Sequence, residues 1–215
     1  MKEKNMSRSV DQIKQAEINT MFATGVGIYS RVHPLSNEEI NFIKGAALTN
    51  NSGNFIGEDY NIFNRPELKS IGEFCLQSVN EYYNGLLNHS NELEITISWI
   101  NKTEPGQYHH HHRHPNSVMS GVFYIDSTKD CPLVLTNPDM TQRPYDSVVK
   151  DDNYNIFNSG DFLQDAKPNQ CLIFPSYIWH SVSKNKTQTP RYSIAFNSFF
   201  KGGQFIGTSA TGLNL

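Results

Sequence analysis

The run PGQYHHHHRHPNS, from Pro105 to Ser117, holds five of the eight histidines of a 215-residue chain. Imidazole is both a common metal ligand and a proton carrier near neutral pH. In an extended strand alternate side chains share a face, spaced about 6.6 to 6.8 Å along the chain. His112 and His114 therefore point together across Arg113, while His111 faces the other way. Two imidazoles on one face suit iron, zinc or nickel, but a pair alone binds weakly and calls for a third ligand. His180, which closes the apolar run FPSYIWHSV, is the candidate. Arg191 follows shortly after it, and a guanidinium can form a two-pronged bond with a carboxylate. Taken singly, a polyhistidine run is also what an exposed metal-scavenging tract looks like, and a lone His180 is also what a hydrogen-bonded, half-buried residue looks like. The combination points to a site.

The elements that must hold these residues follow from periodicity. Ser36 and Glu39 have capping-box spacing, and Ile40, Ile43, Ala46 and Ala47 continue as a short amphipathic helix. A second helix starts around Pro66, with Leu68, Ile71, Cys75, Val79 and Leu86 at near-helical spacing. From Glu92 the character changes. ELEITISWIN, SVMSGVFYID, CPLVLTN, QCLIFPSYIWHSV and RYSIAFNSFF read as strands between turn-rich segments, which favours an antiparallel barrel or jelly roll. The expectation is a mainly β protein in one domain, residues 1–215, with helical support over about 36–90, a β core over about 92–200 and an irregular tail over 202–215. The polar, proline-punctuated stretch Asn137 to Asp165 has the makings of a covering loop. Trp99, Phe123, Trp179 and Phe196 read as core or pocket wall.

Composition narrows the partners. Hydrophobic residues make up 37% and charged residues 18%, as in ordinary folded proteins. A net charge of -3 offers no long-range attraction to a polyanion, so there is no strong nucleic-acid signal. No signal-type or membrane-spanning apolar run occurs, which reads as a cytoplasmic protein without a membrane partner. Cys75, Cys131 and Cys171 contain no close pair and suggest buried side chains, not a disulfide framework. Exposed apolar strands leave a homodimer open.

WINKTEPGQYHHHHRHPNSVMSGVFYI, followed by CLIFPSYIWHSV and PRYSIAFN, resembles a family of 2-oxoglutarate- and Fe(II)-dependent oxygenases. Its members carry W-x-N, H-x-H-P-x-S-x-x-S-G-x-x-Y, F-P-S-x-x-x-H and R-x-S-x-x-F-N in that order. The resemblance spans roughly residues 20 to 205, and the primary substrate of the family is uncharacterised. It implies a double-stranded β-helix, a cupin-like jelly roll, holding Fe(II) with 2-oxoglutarate as cosubstrate and O2 as oxidant. Carried over residue by residue, it places His112, His114 and His180 on the iron and Arg191 on the distal carboxylate of 2-oxoglutarate. Ser193, Asn101 and Tyr124 fall at positions that assist in binding the cosubstrate. The resemblance also leaves His109, if a bend after Gly106 turns it inward, as a candidate ligand competing with His114; otherwise it reads as a neighbour of the ligands or a surface residue, with His110 and His111 as exposed extras. The implied reaction is hydroxylation of an unknown substrate coupled to oxidative decarboxylation of 2-oxoglutarate. One departure stands out: His114 occupies the place usually held by Asp or Glu, so the ligands supply no negative charge. That substitution keeps open a cupin-like metal- or ligand-binding protein without 2-oxoglutarate turnover.

Overall fold

In the computed structural model, residues 23–139, 148–207, 210 and 212–215 are described. The opening segment and residues 140–147 of the expected covering loop lie outside them. Strand β1, Gly27–Ser30, precedes helix α1, Asn37–Lys44. The capping box at its start is complete: Ser36 Oγ accepts from the Glu39 N–H at 3.1 Å, and the Glu39 carboxylate accepts from the Ser36 N–H at 2.7 Å. Glu39 also receives Arg31 Nη2 at 2.9 Å, tying the chain before α1 to its first turn. The helix stops at Gly45, so Ala46 and Ala47 fall beyond it, short of the expected extent.

Strands β2, Leu48–Asn51, and β3, Asn54–Gly57, form a hairpin. Two 3-10 turns, Ile62–Asn64 and Pro66–Leu68, then lead into α2, Lys69–Asn80, which buries Ile71, Cys75 and Val79 along one face. The chain continues as a wider π-helical turn, Glu81–Leu86, that buries Tyr82 and Tyr83. Leu86 leaves the expected apolar stripe there and is exposed, because the wider turn rotates it off the helix face.

Eight further strands build the β core: β4, Leu93–Thr103; β5, His109–His112; β6, Met119–Tyr124; β7, Leu133–Thr136; β8, Asp161–Gln164; β9, Gln170–Pro175; β10, His180–Val182; and β11, Arg191–Phe200. All pairings among them are antiparallel, in two sheets. The larger runs β1-β9-β6-β11-β4-β3-β2 and the smaller β5-β10-β7-β8. Successive strands cross between the sheets, except at the β7-β8 hairpin, which is the winding of a double-stranded β-helix. The stretch expected to be one strand, QCLIFPSYIWHSV, is divided: β9 ends at Pro175, which supplies no ladder donor, and β10 begins in the opposite sheet. The tail is less irregular than expected, since β12, Phe205–Ile206, pairs with β13, Leu213–Asn214.

Alternation gives the larger sheet two different faces. Ile100, Phe123, Ile173, Ile194 and Phe196 pack toward α1 and α2. Val122, Tyr124, Leu172 and Phe174 face the smaller sheet, where Leu133, Leu135, Ile178 and Val182 close a second core. Gly121 leaves room for the Phe196 ring, since a Cβ there would come within 3 Å of three ring atoms. Cys75, Cys131 and Cys171 are buried free thiols. Among the described residues, no helix is long and apolar enough to cross a membrane.

Candidate metal centre

The inner face of the larger sheet is read off its register. On β11, Arg191 lies opposite Thr103 of β4. Ser193 lies opposite both Asn101 of β4 and Tyr124 of β6, and Ala195 lies between Trp99 and Val122. Asn197 lies opposite Ser120. The rows of Arg191, Ser193 and Ala195 line a narrow cavity whose other wall is His109, His112, Leu133, His180 and Val182 of the smaller sheet, with His114 on the side of the Asn197 row.

The histidine tract departs from regular alternation in two ways. β5 ends at His112, so His114 is not a strand residue as its parity suggests; its N–H bonds to the Ser176 carbonyl at 3.1 Å in the turn that follows. Within β5, His112 lies opposite His180 and His109 opposite Val182, so two residues face the single Ser181. This bulge turns His109 toward the cavity alongside His112. His110 and His111 are left exposed; His111 stacks on Trp179 and sits 3.0 Å from Thr136 Oγ1 on the outer face. Trp179 is thus neither core nor pocket wall, whereas Trp99 lines the cavity and Phe123 and Phe196 belong to the core.

His112, His114 and His180 converge. Their rings lie 4.3 to 5.1 Å apart, and their candidate ligand atoms lie within 4.8 Å of one another. Each ring spends Nδ1 on an oxygen. His112 Nδ1–H donates to the His110 carbonyl at 2.8 Å, His180 Nδ1–H donates to the Ile178 carbonyl at 2.9 Å, and His114 Nδ1–H donates to Asn197 Oδ1. Such bonds fix the tautomer and leave Nε2 as the lone pair offered to a metal. His112 Nε2 and His114 Nε2 are 3.1 Å apart, close to the spacing of two imidazoles at right angles on one ion with bonds of about 2.1 Å.

Burial is the first cause of depressed basicity throughout. It holds His180 down to about 2 and His112 to about 4, with neighbouring imidazoles adding to it. It also lowers His114, although the bond to Asn197 opposes the shift. The ligand candidates are therefore neutral near pH 7, the form that binds metal. His109 is held to about 3, again by burial first. Its ring stacks face to face on His112 at 4.5 Å, and its Nε2 lies 3.2 Å from Asn51 Nδ2. A second cluster, His109, His110 and His112, also exists. The stacking and the Asn51 contact make it the poorer ligand set.

The deficit of hydrogen bonds is concentrated along this cavity. Among the described residues, eight buried side-chain nitrogen or oxygen atoms lack a partner. Seven of them belong to residues lining this cavity: Asn54 Nδ2, Trp99 Nε1, Asn101 Oδ1, Thr103 Oγ1, Tyr124 OH, and Nε and Nη2 of Arg191. Buried polar groups in folded proteins are almost always paired, so such a cluster marks the place of a polar ligand. The Arg191 guanidinium lies 4.9 Å from the centroid of the Tyr124 ring. Burial pushes the Tyr124 phenol up to about 12 despite that cation, so it remains a hydrogen-bond donor. Arg191 is the only formal charge among the lining side chains, and no carboxylate accompanies it.

The sequence brings Asn101, Tyr124, Arg191 and Ser193 to one wall as expected, but several participants escape it. Asn197 and Ser120 fix His114, and Ser120 also donates to Asn197 Oδ1 at 2.9 Å. The two-residue steps Arg191, Ser193, Ala195, Asn197 and Trp99, Asn101, Thr103 carry the signal for Asn197, Trp99 and Thr103. No local signal points to Asn54, which comes from the hairpin outside the β-helix.

A double-stranded β-helix with a three-histidine cluster at one end of its cavity and a buried arginine further along it forms a candidate metal centre beside a place suited to an anionic small molecule. Residues 97–197 match the family described as "Putative 2OG-Fe(II) oxygenase". That match spans the β core from within β4 to within β11, so the chain is similar to this family over its core. No curated protein matches the sequence.

Solved structures share the fold. HygX from Streptomyces hygroscopicus, with nickel, 2-oxoglutarate and hygromycin B bound, superposes with a TM-score of 0.56 at 10% identity, covering 81% of this chain and 82% of HygX. A prolyl hydroxylase from Trichoplax adhaerens, in complex with a hypoxia inducible factor peptide, gives 0.56 at 15% identity over 82% and 84%. The carbocyclase SnoK from nogalamycin biosynthesis gives 0.56 at 12% identity over 84% and 81%.

Proposed function

We propose that the protein is a hydroxylase in which His112, His114 and His180 hold Fe(II), and in which Arg191 anchors the distal carboxylate of 2-oxoglutarate. The observation that carries this reading is the pairing of two features in one cavity: three tautomer-fixed imidazoles at one end and, at the other, a buried guanidinium with two nitrogens lacking a hydrogen-bond partner. Both fit the groups required. Neutral nitrogen donors suit Fe(II), and an orphaned cation suits a carboxylate.

Bound together, iron and 2-oxoglutarate supply the activation of O2 that drives oxidation of an unreactive C–H bond. The chain supplies position and shelter. Arg191, with Ser193 and the Tyr124 hydroxyl, fixes one end of the oxo acid so that its other end meets the histidines. Asn101 lies level with Ser193 and Tyr124, one row nearer the histidines than Arg191. Val122, Leu133, Val182 and Ala195 line the passage with apolar surface, which excludes water and strengthens the polar contacts. With no carboxylate among the ligands, the two negative charges of 2-oxoglutarate are the ones available to the metal ion and Arg191.

The similar structures include one described as a carbocyclase as well as one described as a prolyl hydroxylase. Hydroxylation is the simplest outcome for the reading above. Two measurements test it. Anaerobic addition of Fe(II) and 2-oxoglutarate should produce a metal-to-ligand charge-transfer band that requires both. In air, iron-loaded protein should form succinate, and Arg191→Ala should not. Equal succinate from both proteins, at verified equal iron loading, would remove Arg191 from the cosubstrate site.

A further inference from the structure

Arg191 does not stand alone at its end of the cavity. Thr103 lies opposite it on β4, and β3 pairs with β4 through Phe55 opposite Lys102, which sets Asn54 beside Thr103 in the same row. All three side chains are nearly inaccessible to solvent, Asn54 and Thr103 at 1% and Arg191 at 4%. All three border the cavity and carry an unpaired polar atom. A buried amide donor, a hydroxyl and a guanidinium without partners are costly to leave together in one row unless one ligand satisfies them.

The hairpin fixes which atom Asn54 presents. Asn51 Nδ2 donates to Asn54 Oδ1 at 3.1 Å, so the Asn54 oxygen is taken and its Nδ2 remains as the free donor. The same Asn51 nitrogen reaches His109 Nε2 at 3.2 Å, which ties the hairpin to β5 across the cavity. The hairpin tip is held as well. Tyr108 N–H donates to the Gly53 carbonyl at 3.1 Å, and Gly53 has φ of +140°, where a Cβ would also press on the Tyr108 carbonyl. The free donor is therefore presented by a braced element, not by a loose loop.

We infer that the β2-β3 hairpin is part of the cosubstrate site, and that Asn54 Nδ2 and Thr103 Oγ1 join Arg191 in binding the distal carboxylate of the 2-oxo dicarboxylic acid. A carboxylate accepts about four hydrogen bonds, and these three side chains offer that many donors along one row. This assignment rests on the proposed role of Arg191. It adds a source of selectivity, because an oxo acid lacking the distal carboxylate would leave all three side chains unsatisfied.

Binding to nickel-loaded protein, which reads affinity without turnover, tests the inference. Titrations of wild type, Thr103→Val, Asn54→Asp and Arg191→Met would use 2-oxoglutarate and, as a probe without the distal carboxylate, 2-oxobutyrate. Thr103→Val is isosteric, and Asn54→Asp keeps the shape while placing a negative charge against the ligand. Both variants should weaken 2-oxoglutarate by roughly 10- to 100-fold, with Asn54→Asp at the upper end, and leave 2-oxobutyrate within about twofold. Melting temperatures of the unliganded variants no lower than that of wild type would verify folding, with Asn54→Gln as a replacement should Asn54→Asp not fold. Wild-type affinity for 2-oxoglutarate in both variants, with loss only in Arg191→Met, would overturn this inference and leave Arg191 in place. Equal affinity in wild type and Arg191→Met would overturn the reading beneath it as well.

Discussion

His114 Nδ1 is bonded to Asn197 Oδ1, and this contact sets the direction in which the metal centre faces. With Nδ1 engaged, Nε2 of His114 is directed to His112 Nε2 at 3.1 Å. Asn197 accepts in addition from Ser120 Oγ at 2.9 Å, and Ser120 continues to Ser176 and Ser117 through 2.8 and 2.7 Å contacts. Replacing Asn197 by Leu removes the acceptor while keeping similar volume. Iron affinity should fall about 10- to 100-fold, measured by competition with a coloured chelator, and unchanged affinity would show that Asn197 does not hold the ring.

The histidines should rank by geometry. His112→Ala, His114→Ala and His180→Ala should each lose stoichiometric Fe(II) after anaerobic loading and desalting, whereas His109→Ala, His110→Ala and His111→Ala should retain it. Iron content by elemental analysis decides the matter. Full iron in His114→Ala with loss in His109→Ala would move the centre to the second cluster.

A guanidinium that is 4% exposed, with two nitrogens lacking a hydrogen-bond partner, burdens the ligand-free protein. Arg191→Met fills similar space without the charge, so the unliganded variant should be more stable by about 1 to 3 kcal/mol in urea unfolding while losing 2-oxoglutarate binding. A variant less stable than wild type would mean that the stacking on Tyr124 outweighs the buried charge.

Stability of the metal-free protein should fall with acid earlier than carboxylates alone require. His180 and His112 have folded values of about 2 and about 4, below the unfolded value of about 6.5. Above that value neither state is protonated, and nothing is lost. As pH falls below it, the unfolded chain takes up protons that the folded chain refuses, so stability declines. His180 alone accounts for up to about 1.4 kcal/mol per pH unit. Urea midpoints at pH 7.5 and 5.0 should differ, and His180→Asn should flatten the difference; an equal decline in both would refute the assignment.

Gly121→Ala tests the packing behind the site. The added Cβ meets the Phe196 ring, and Phe196 precedes Asn197. A loss of about 1 to 3 kcal/mol is expected from overpacking, read as a lower melting temperature, together with weaker iron binding if the ring displaces Asn197. An unchanged melting temperature would show that the ring moves aside freely.

Much of this was legible because strand periodicity is strict. The β core begins at Leu93 and ends at Phe200, where the change of pattern predicts it, and the two-residue step carries Arg191 and Ser193 to the face that Asn101 also occupies. Where local geometry breaks periodicity, reading by parity fails. The bulge in β5 turned His109 inward, and the turn after His112 brought His114 into place outside any strand. Asn54 lay beyond reach for another reason: its function depends on a pairing between β3 and β4 across more than forty intervening residues, which no local pattern records.

The bulge also bears on how the histidine run can vary. β5 carries one residue more than its ladder with β10 needs. Removal of His110 or His111 would restore regular pairing and still leave the flanking imidazoles opposite His180 and Val182. Here the surplus residue is an exposed one, so the run can shorten by a codon and keep both inward rings over the cavity.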